Sequence, residues 1–242
     1  MQQCSRSVLA AFDFDHTICN GNTDLVARKL LPNEKIPEDV KGLYKSSGWI
    51  AYMDRILELL HENGIDARRI ENAVAGIPAV PGIEALLADL HANGHEIIII
   101  SDSNSIFIDR WLKRRKLDHL ISRIFTNPAR YDDNGRMRVD MYHTQHTCRL
   151  STINLCKGQI LMDYVDQRRE QGKRYGKIVY VGDGKNDLCP VLRLSRSDLA
   201  CPRKCYALIE TLNNLPRDAS TEAEVIPWDN GTDLHLNLKS II

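Results

Sequence analysis

The chain has 242 residues, 43% hydrophobic and 26% charged, enough for one large domain or one core carrying an insertion and unlike a disordered or fibrous protein. Its 32 Lys and Arg match 32 Asp and Glu, so the formal net charge is zero; no global basic field is available to hold nucleic acid or an anionic membrane, and an anionic ligand must meet a local site. No apolar run approaches the roughly 20 residues that span a bilayer, no secretory signal precedes the first acidic motif, and seven scattered cysteines (Cys4, Cys19, Cys148, Cys156, Cys189, Cys201, Cys205) lack a disulfide rhythm, which together predict a cytoplasmic protein with reduced thiols.

In chain order, residues 8–12 form an apolar run stopped by Asp13, the pattern of a strand buried on both faces of a parallel sheet. The next eighty residues read as helices 23–31, 37–44, 49–62 and 67–76, separated by Pro32-Asn33, Ser46-Ser47-Gly48 and Asn63-Gly64. This exceeds what one crossover needs and predicts an inserted helical cap over 21–77, with 1–20 and 78–242 as the catalytic core. Pro78 and Pro81-Gly82 mark the return, followed by a helix over 82–93, a strand over 96–100 ending at Ser101-Asp102, and a helix over 105–116. Asp132-Asp-Asn-Gly135 is a turn signal between extended patterns and predicts a hairpin within 124–139. Helix 158–170, strand 177–181 and helix 189–194 complete the series. Strands alternating with helices imply an α/β, doubly wound, Rossmann-like parallel sheet, whose ligands bind beyond the C-terminal strand ends.

Those ends carry the polar residues. Asp13-Phe14-Asp15-His16-Thr17 places two carboxylates two residues apart where a strand gives way to a loop, and their joint ionisation favours a bound cation. Gly182-Asp183-Gly184-Lys185-Asn186-Asp187 repeats the arrangement after a second buried strand, with glycines that permit close backbone approach. Between them, Ser101 offers a hydroxyl beside a helix start, although it also suits a helix N-cap, and Lys157 offers a cation at another helix start, although a lysine is more often a solvated surface residue.

The order Asp13-x-Asp15-x-Thr17, Ser101, Lys157, Gly182-Asp183-Gly184-x-Asn186-Asp187 resembles the four motifs of haloacid dehalogenase superfamily phosphatases. Trp49-Ile-Ala-Tyr-Met53, Ser101-Asp-Ser-Asn-Ser-Ile-Phe-Ile108 and Asn154-Leu-Cys-Lys-Gly158 look like the phosphoethanolamine/phosphocholine phosphatases and their pyridoxal phosphate phosphatase relatives, over nearly the whole chain. The resemblance implies that Asp13 attacks phosphorus to form an aspartyl phosphate and that Asp15 is the acid and base. It also implies Mg²⁺ held by Asp13, Asp183 and the Asp15 carbonyl, with Asp187 orienting the site and Ser101 and Lys157 gripping the phosphoryl oxygens. Asp24 and Asp102 are then expected at the ammonium head group, though an acid in a first helical turn such as Asp24 is favourable for the dipole alone. Trp49 and Tyr52 could add cation–π contact, though aromatic residues in a cap helix more often serve the core.

The expected partner is a small phosphomonoester, with no nucleic acid or membrane. Pyrophosphate or thiamine phosphate hydrolysis is a second reading; a phospho-accepting receiver module is a non-enzyme one that needs neither Asp15 nor a cap. His143, His146, Cys148 and Cys156 match no standard zinc spacing, and the basic run Lys113-Arg-Arg-Lys116 reads as the solvated face of a helix.

Overall fold

A computed structural model describes residues 7–216, 219–239 and 241, and for 45–47 the backbone only; Cys4 lies outside the described residues. The chain forms β1 (Val8–Phe12), α1 (Thr23–Arg28), α2 (Glu38–Glu62), α3 (Ala67–Ala75), α4 (Ile83–Ala92), β2 (Glu96–Asn104), α5 (Ser105–Arg115) and β3 (Arg123–Asn127). Strands β4 (Ala129–Tyr131) and β5 (Met137–Val139) follow, then α6 (Lys157–Glu170), β6 (Lys177–Gly182), α7 (Leu188–Val191), β7 (Leu199–Pro202), α8 (Ala207–Asn213), β8 (Glu224–Val225) and α9 (Gly231–Lys239).

Six strands make one sheet in the order β3-β2-β1-β6-β7-β8, every neighbouring pair parallel. Strand alternation sends successive side chains to opposite faces, and the core divides accordingly. Ala10, Phe12, Ile97, Ile99, Val179 and Val181 join a cluster with Leu86 of α4, Trp111 of α5 and Leu234 of α9. Leu9, Ala11, Ile98, Ile100 and Tyr180 join a second with Leu161 of α6, Val191 of α7 and Leu208 of α8. Both faces of the central strands are dry, which is why they read as unbroken apolar runs.

The chain steps outward from β1 through β2 to β3, then crosses to β6 on the other side of β1. This is a topological switch point, where a crevice opens beyond the strand ends. Phe12 is level with both Ile99 and Val181, so Asp13, Ser101 and Asp183 stand at nearly the same height along the sheet.

The helices between β1 and β2 occur as predicted, including the break in α2: Gly48 has φ 87° and ψ 176°, a backbone that side chains disfavour. Met53, Ile56 and Leu60 of α2 and Val74 of α3 share the apolar cluster of the first sheet face. Arg136 of the hairpin region, 7% exposed, bonds Asp54 of α2 at 3.0 Å and also Glu58, and Tyr131 donates to Glu71 of α3 at 2.6 Å. Two strand predictions need correction. The hairpin is confined to β4 and β5, because Ile124 and Phe125 extend the main sheet as β3. Strand β2 runs through to Asn104, so Ser101 lies within it; Asn104, accepting from Phe107 N at 3.1 Å, is the N-cap of α5.

Candidate active site

The loop after β1 is held in place before it carries any chemistry. His16 adopts the left-handed conformation (φ 57°) and its N–H bonds Gly21 O at 3.1 Å, while the N–H groups of Ile18 and Cys19 converge on Phe14 O. Arg203, 8% exposed at the end of β7, donates to the His16 carbonyl and reaches Asn20 Oδ1 at 3.1 Å. This bracing turns Asp13 and Asp15 into one cavity of about 190 Å³ with Asp24, Ser101, Asp102 and Asp183. Seven of the eight predicted site residues are thus accounted for either in this lining or, for Lys157, directly beneath it; Asp187 is buried behind them.

Lys157 is not a surface lysine. Only 1% exposed, its Nζ sits 2.8 Å from Asp13 Oδ2 and 2.7 Å from Asp187 Oδ1. Burial opposes its charge, but the charges of Asp13, Asp187 and Asp102 outweigh that and raise its pKa, so it stays an ammonium. Asp187, fully buried, also accepts from Tyr180 OH at 2.7 Å, Asp183 N at 3.0 Å and Gly184 N at 2.8 Å. All four of its acceptor positions are used, so it organises the Gly182–Gly184 turn rather than meeting a ligand. A Cβ at Gly182 would lie 2.5 Å from the Asp187 carboxyl, which is why glycine stands there.

Asp183 is less occupied, accepting from Thr17 Oγ1 at 3.2 Å. Oxygens of Asp13, Asp183 and Asp187 lie within 4.8 Å of one another, and one ammonium faces these three carboxylates. Burial, followed by the neighbouring acids, pushes Asp13 well above its usual range despite Lys157, and brings Asp183 up to about 7. A buried all-oxygen set short of positive charge fits a hard divalent cation such as Mg²⁺.

Asp15 has a different setting. Thr23 donates to it through both N and Oγ1, each at 3.1 Å, and Ser103 Oγ stands 2.7 Å from that threonine hydroxyl. Burial, then the charges of Asp24 and Asp13, raise its pKa well above normal, so it can carry a proton at neutral pH. In the same cavity, Asp24 is 6% exposed, accepts from Trp49 Nε1 at 2.6 Å, and is pushed to about 6 chiefly by burial. Asp102 accepts from Asn154 at 2.9 Å, Asn186 at 2.5 Å and Thr152 at 3.4 Å, which fixes its carboxylate at the wall. Trp49 faces the cavity. Tyr52 packs behind it, 9% exposed with ring centroids 5.4 Å apart, and serves the core.

Sequence reasoning missed Thr23, Ser103, Tyr180 and Arg203. Thr23 had a signal, as the residue before Asp24; Arg203 had none, because its partner His16 is remote in sequence.

The cysteines have a grouping that their sequence spacing does not reveal. Cys148 and Cys156 converge with Cys189, not with histidine: His143 Nε2 accepts instead from Cys156 N at 2.9 Å. All six described cysteines are free thiols, and no described helix is long and apolar enough to cross a membrane.

The family described as Putative Phosphatase matches residues 8–242. The human pyridoxal phosphate phosphatase PHOSPHO2 is 37% identical over 97% of this chain and 98% of its own length. The human phosphoethanolamine/phosphocholine phosphatase is 32% identical over 97% of this chain and 89% of its own. Among solved structures, a phospho-aspartyl intermediate analogue of phosphoserine phosphatase superposes with TM-score 0.62 at 19% identity, covering 98% of this chain and all of that one. A haloacid dehalogenase family hydrolase from Salmonella enterica subsp. enterica serovar Typhi superposes with TM-score 0.64 at 18% identity, over all of this chain and 73% of the other. With matches of this extent, the chain belongs to the Putative Phosphatase family of haloacid dehalogenase-type phosphatases.

Proposed function

We propose that this phosphoric monoester hydrolase acts on small amine-bearing phosphates, phosphoethanolamine or phosphocholine first, through a phosphoryl group carried on Asp13. The observation that carries the reading is the division of one cavity into two electrostatic ends. At one end Lys157 stands beside Asp13; Asp24 and Asp102 add two further carboxylates to the wall, neither in an ion pair among the described residues. A substrate with a dianionic and a cationic end matches that division. Residues 21–77 serve as a cap over the core 1–20 and 78–242, contributing Asp24 and Trp49.

In the first step an Asp13 carboxylate oxygen attacks phosphorus and the ester P–O bond breaks. Asp15, protonated in its raised-pKa setting, gives its proton to the departing alkoxide. Thr23 fixes the orientation of that carboxyl. In the second step Asp15 takes a proton from water as the water attacks phosphorus; the bond to Asp13 breaks, releasing phosphate and restoring both acids. Lys157 and the Ser101 hydroxyl steady the phosphoryl oxygens, and Asp187 holds Lys157 in reach. Asp13, Asp183 and the Asp15 carbonyl would hold Mg²⁺, which when bound offsets the charge of the phosphoryl oxygens.

A second reading, pyridoxal phosphate, is favoured by a larger cavity of about 660 Å³ that adjoins the first through Trp49, Asp102 and Asn186, with room for a ring. Ranking kcat/KM for phosphoethanolamine, phosphocholine, pyridoxal phosphate and p-nitrophenyl phosphate tests both. A preference for the neutral nitrophenyl ester over every amine would overturn the division of the cavity.

A further inference from the structure

We infer that Cys148, Cys156 and Cys189, with Ser151 beside the fourth position, form a zinc site that pins the long 140–156 loop to the back of the catalytic cluster. Cys148 Sγ lies 3.4 Å and Cys156 Sγ 3.6 Å from Cys189 Sγ, and all three sulfurs fall within 4.8 Å of one another. Tetrahedral zinc with Zn–S near 2.3 Å sets its sulfurs about 3.8 Å apart. Ser151 Oγ is 3.4 Å from Cys148 Sγ and 3.2 Å from Cys156 Sγ, close to the roughly 3.6 Å between an oxygen and a sulfur on one zinc ion. Three soft sulfurs and a hydroxyl select zinc over the hard cation of the oxygen cluster.

The surroundings are built for this approach. A Cβ at Gly158 would lie 2.5 Å from Cys189 Sγ and 2.8 Å from Arg193 Nε, so only glycine lets the start of α6 close on that sulfur. Residues 140–156 contain no helix or strand, a length of irregular chain that needs an anchor. Gln145 supplies part of it: its Nε2 donates to Thr152 O at 2.8 Å and its Oε1 accepts from Cys148 N at 2.9 Å, folding the loop so that Cys148 and Ser151 turn together. The outer end of this loop presents Thr152 and Asn154 to Asp102. Cys156 precedes Lys157, and Cys189 lies two residues beyond Asp187. Zinc bound here would thus position Lys157, Asp187 and Asp102 without touching substrate. Formation of three Zn–S bonds displaces the three thiol protons to solvent and oxidises nothing.

The test uses the full chain purified without chelators from zinc-supplemented medium. Elemental analysis should find about one zinc per chain, released to a chromogenic chelator when a mercurial titrates the thiols. Cobalt substitution should give thiolate-to-cobalt charge-transfer absorption. Cys189→Ser should lose the metal, and exposed Cys205→Ser should keep it. Ser151→Cys, which completes a four-thiolate set, should hold zinc against a chelator roughly tenfold or more better and does not depend on a destabilised variant folding. Wild-type protein with no more zinc than Cys189→Ser, thiols that react equally fast with and without added zinc, or a disulfide among the three would each overturn the site. Asp13→Asn separates this inference from the proposed function: it should retain zinc while losing turnover. Zinc-free protein as active as zinc-loaded protein overturns the positioning of Lys157, Asp187 and Asp102 by the zinc, and a zinc-loaded protein inert on every phosphomonoester sinks the substrate reading alone.

Discussion

The oxygen cluster of Asp13, Asp183 and Asp187 and the sulfur cluster of Cys148, Cys156 and Cys189 share two short stretches of chain. Cys156 and Lys157 are neighbours serving different clusters, as are Asp187 and Cys189 at one residue's remove. Yet they are assembled differently. The oxygen cluster hangs from strand ends whose register fixes their height, and it contains a buried ammonium bonded to two of its acids. The sulfur cluster draws one member from an irregular loop and two from helix starts, and its sulfurs bond one another and Ser151. Position in a parallel sheet therefore suffices to build the first, whereas the second depends on whatever holds the loop.

The largest break in this comparison should come from Asp13→Asn, which removes the proposed nucleophile. Turnover measured by phosphate release is expected to fall by roughly 10⁴-fold or more, with the loop thiols unchanged in reactivity. Asp187→Ala comes next: it strands a buried ammonium and three other donors, and chemical denaturation should show a loss of about 3–5 kcal/mol. An Asp187→Ala protein as stable as wild type would mean that the pairing with Lys157 contributes little. Asp24→Asn should lower kcat/KM for amine substrates by about 10- to 100-fold, the worth of a buried charge contact, while p-nitrophenyl phosphate changes by less than about threefold. Because Asp24 titrates at about 6, KM for amine substrates should climb as pH falls through that value; in Asp24→Asn that climb should vanish relative to the nitrophenyl ester.

The smallest effect is on stability. Acids whose folded pKa is raised, as for Asp13, Asp15 and Asp183, bind more protons folded than unfolded between the ordinary carboxylate range and their raised values. Stability from these groups is therefore fully present below about pH 4 and is lost as pH rises toward and past 7. Added Mg²⁺ should raise the Tm at pH 8 and do so progressively less at pH 6 and 5, as protons compete for the same oxygens. A Tm gain independent of pH would place the ion elsewhere.

What could be read without coordinates follows this same contrast. The strands of the sheet centre are apolar on both sides, so their ends, and the acids at those ends, were plain; so were the cap helices, each bounded by proline, glycine or asparagine. Strands β3, β7 and β8 were not, because β3 and β8 are short edge strands and β7 is only four residues long, so none carries a long apolar run or a clean alternation. Lys157 was placed in the site only by resemblance, since nothing local distinguishes a lysine that will be buried against two acids. Arg203 and the meeting of Cys189 with Cys148 arise from pairings distant along the chain, which no local periodicity records.

Gly48 touches nothing where a side chain would begin, yet its φ of 87° lies where an L-residue costs roughly 1–2 kcal/mol. The next residue is Trp49, whose indole N–H donates to Asp24 at 2.6 Å. Replacing this glycine would favour a straighter helix and swing the indole off its carboxylate. If Asp24 holds the head group as proposed, substrate preference should be retunable from a position outside the cavity lining, through the bend of a single helix.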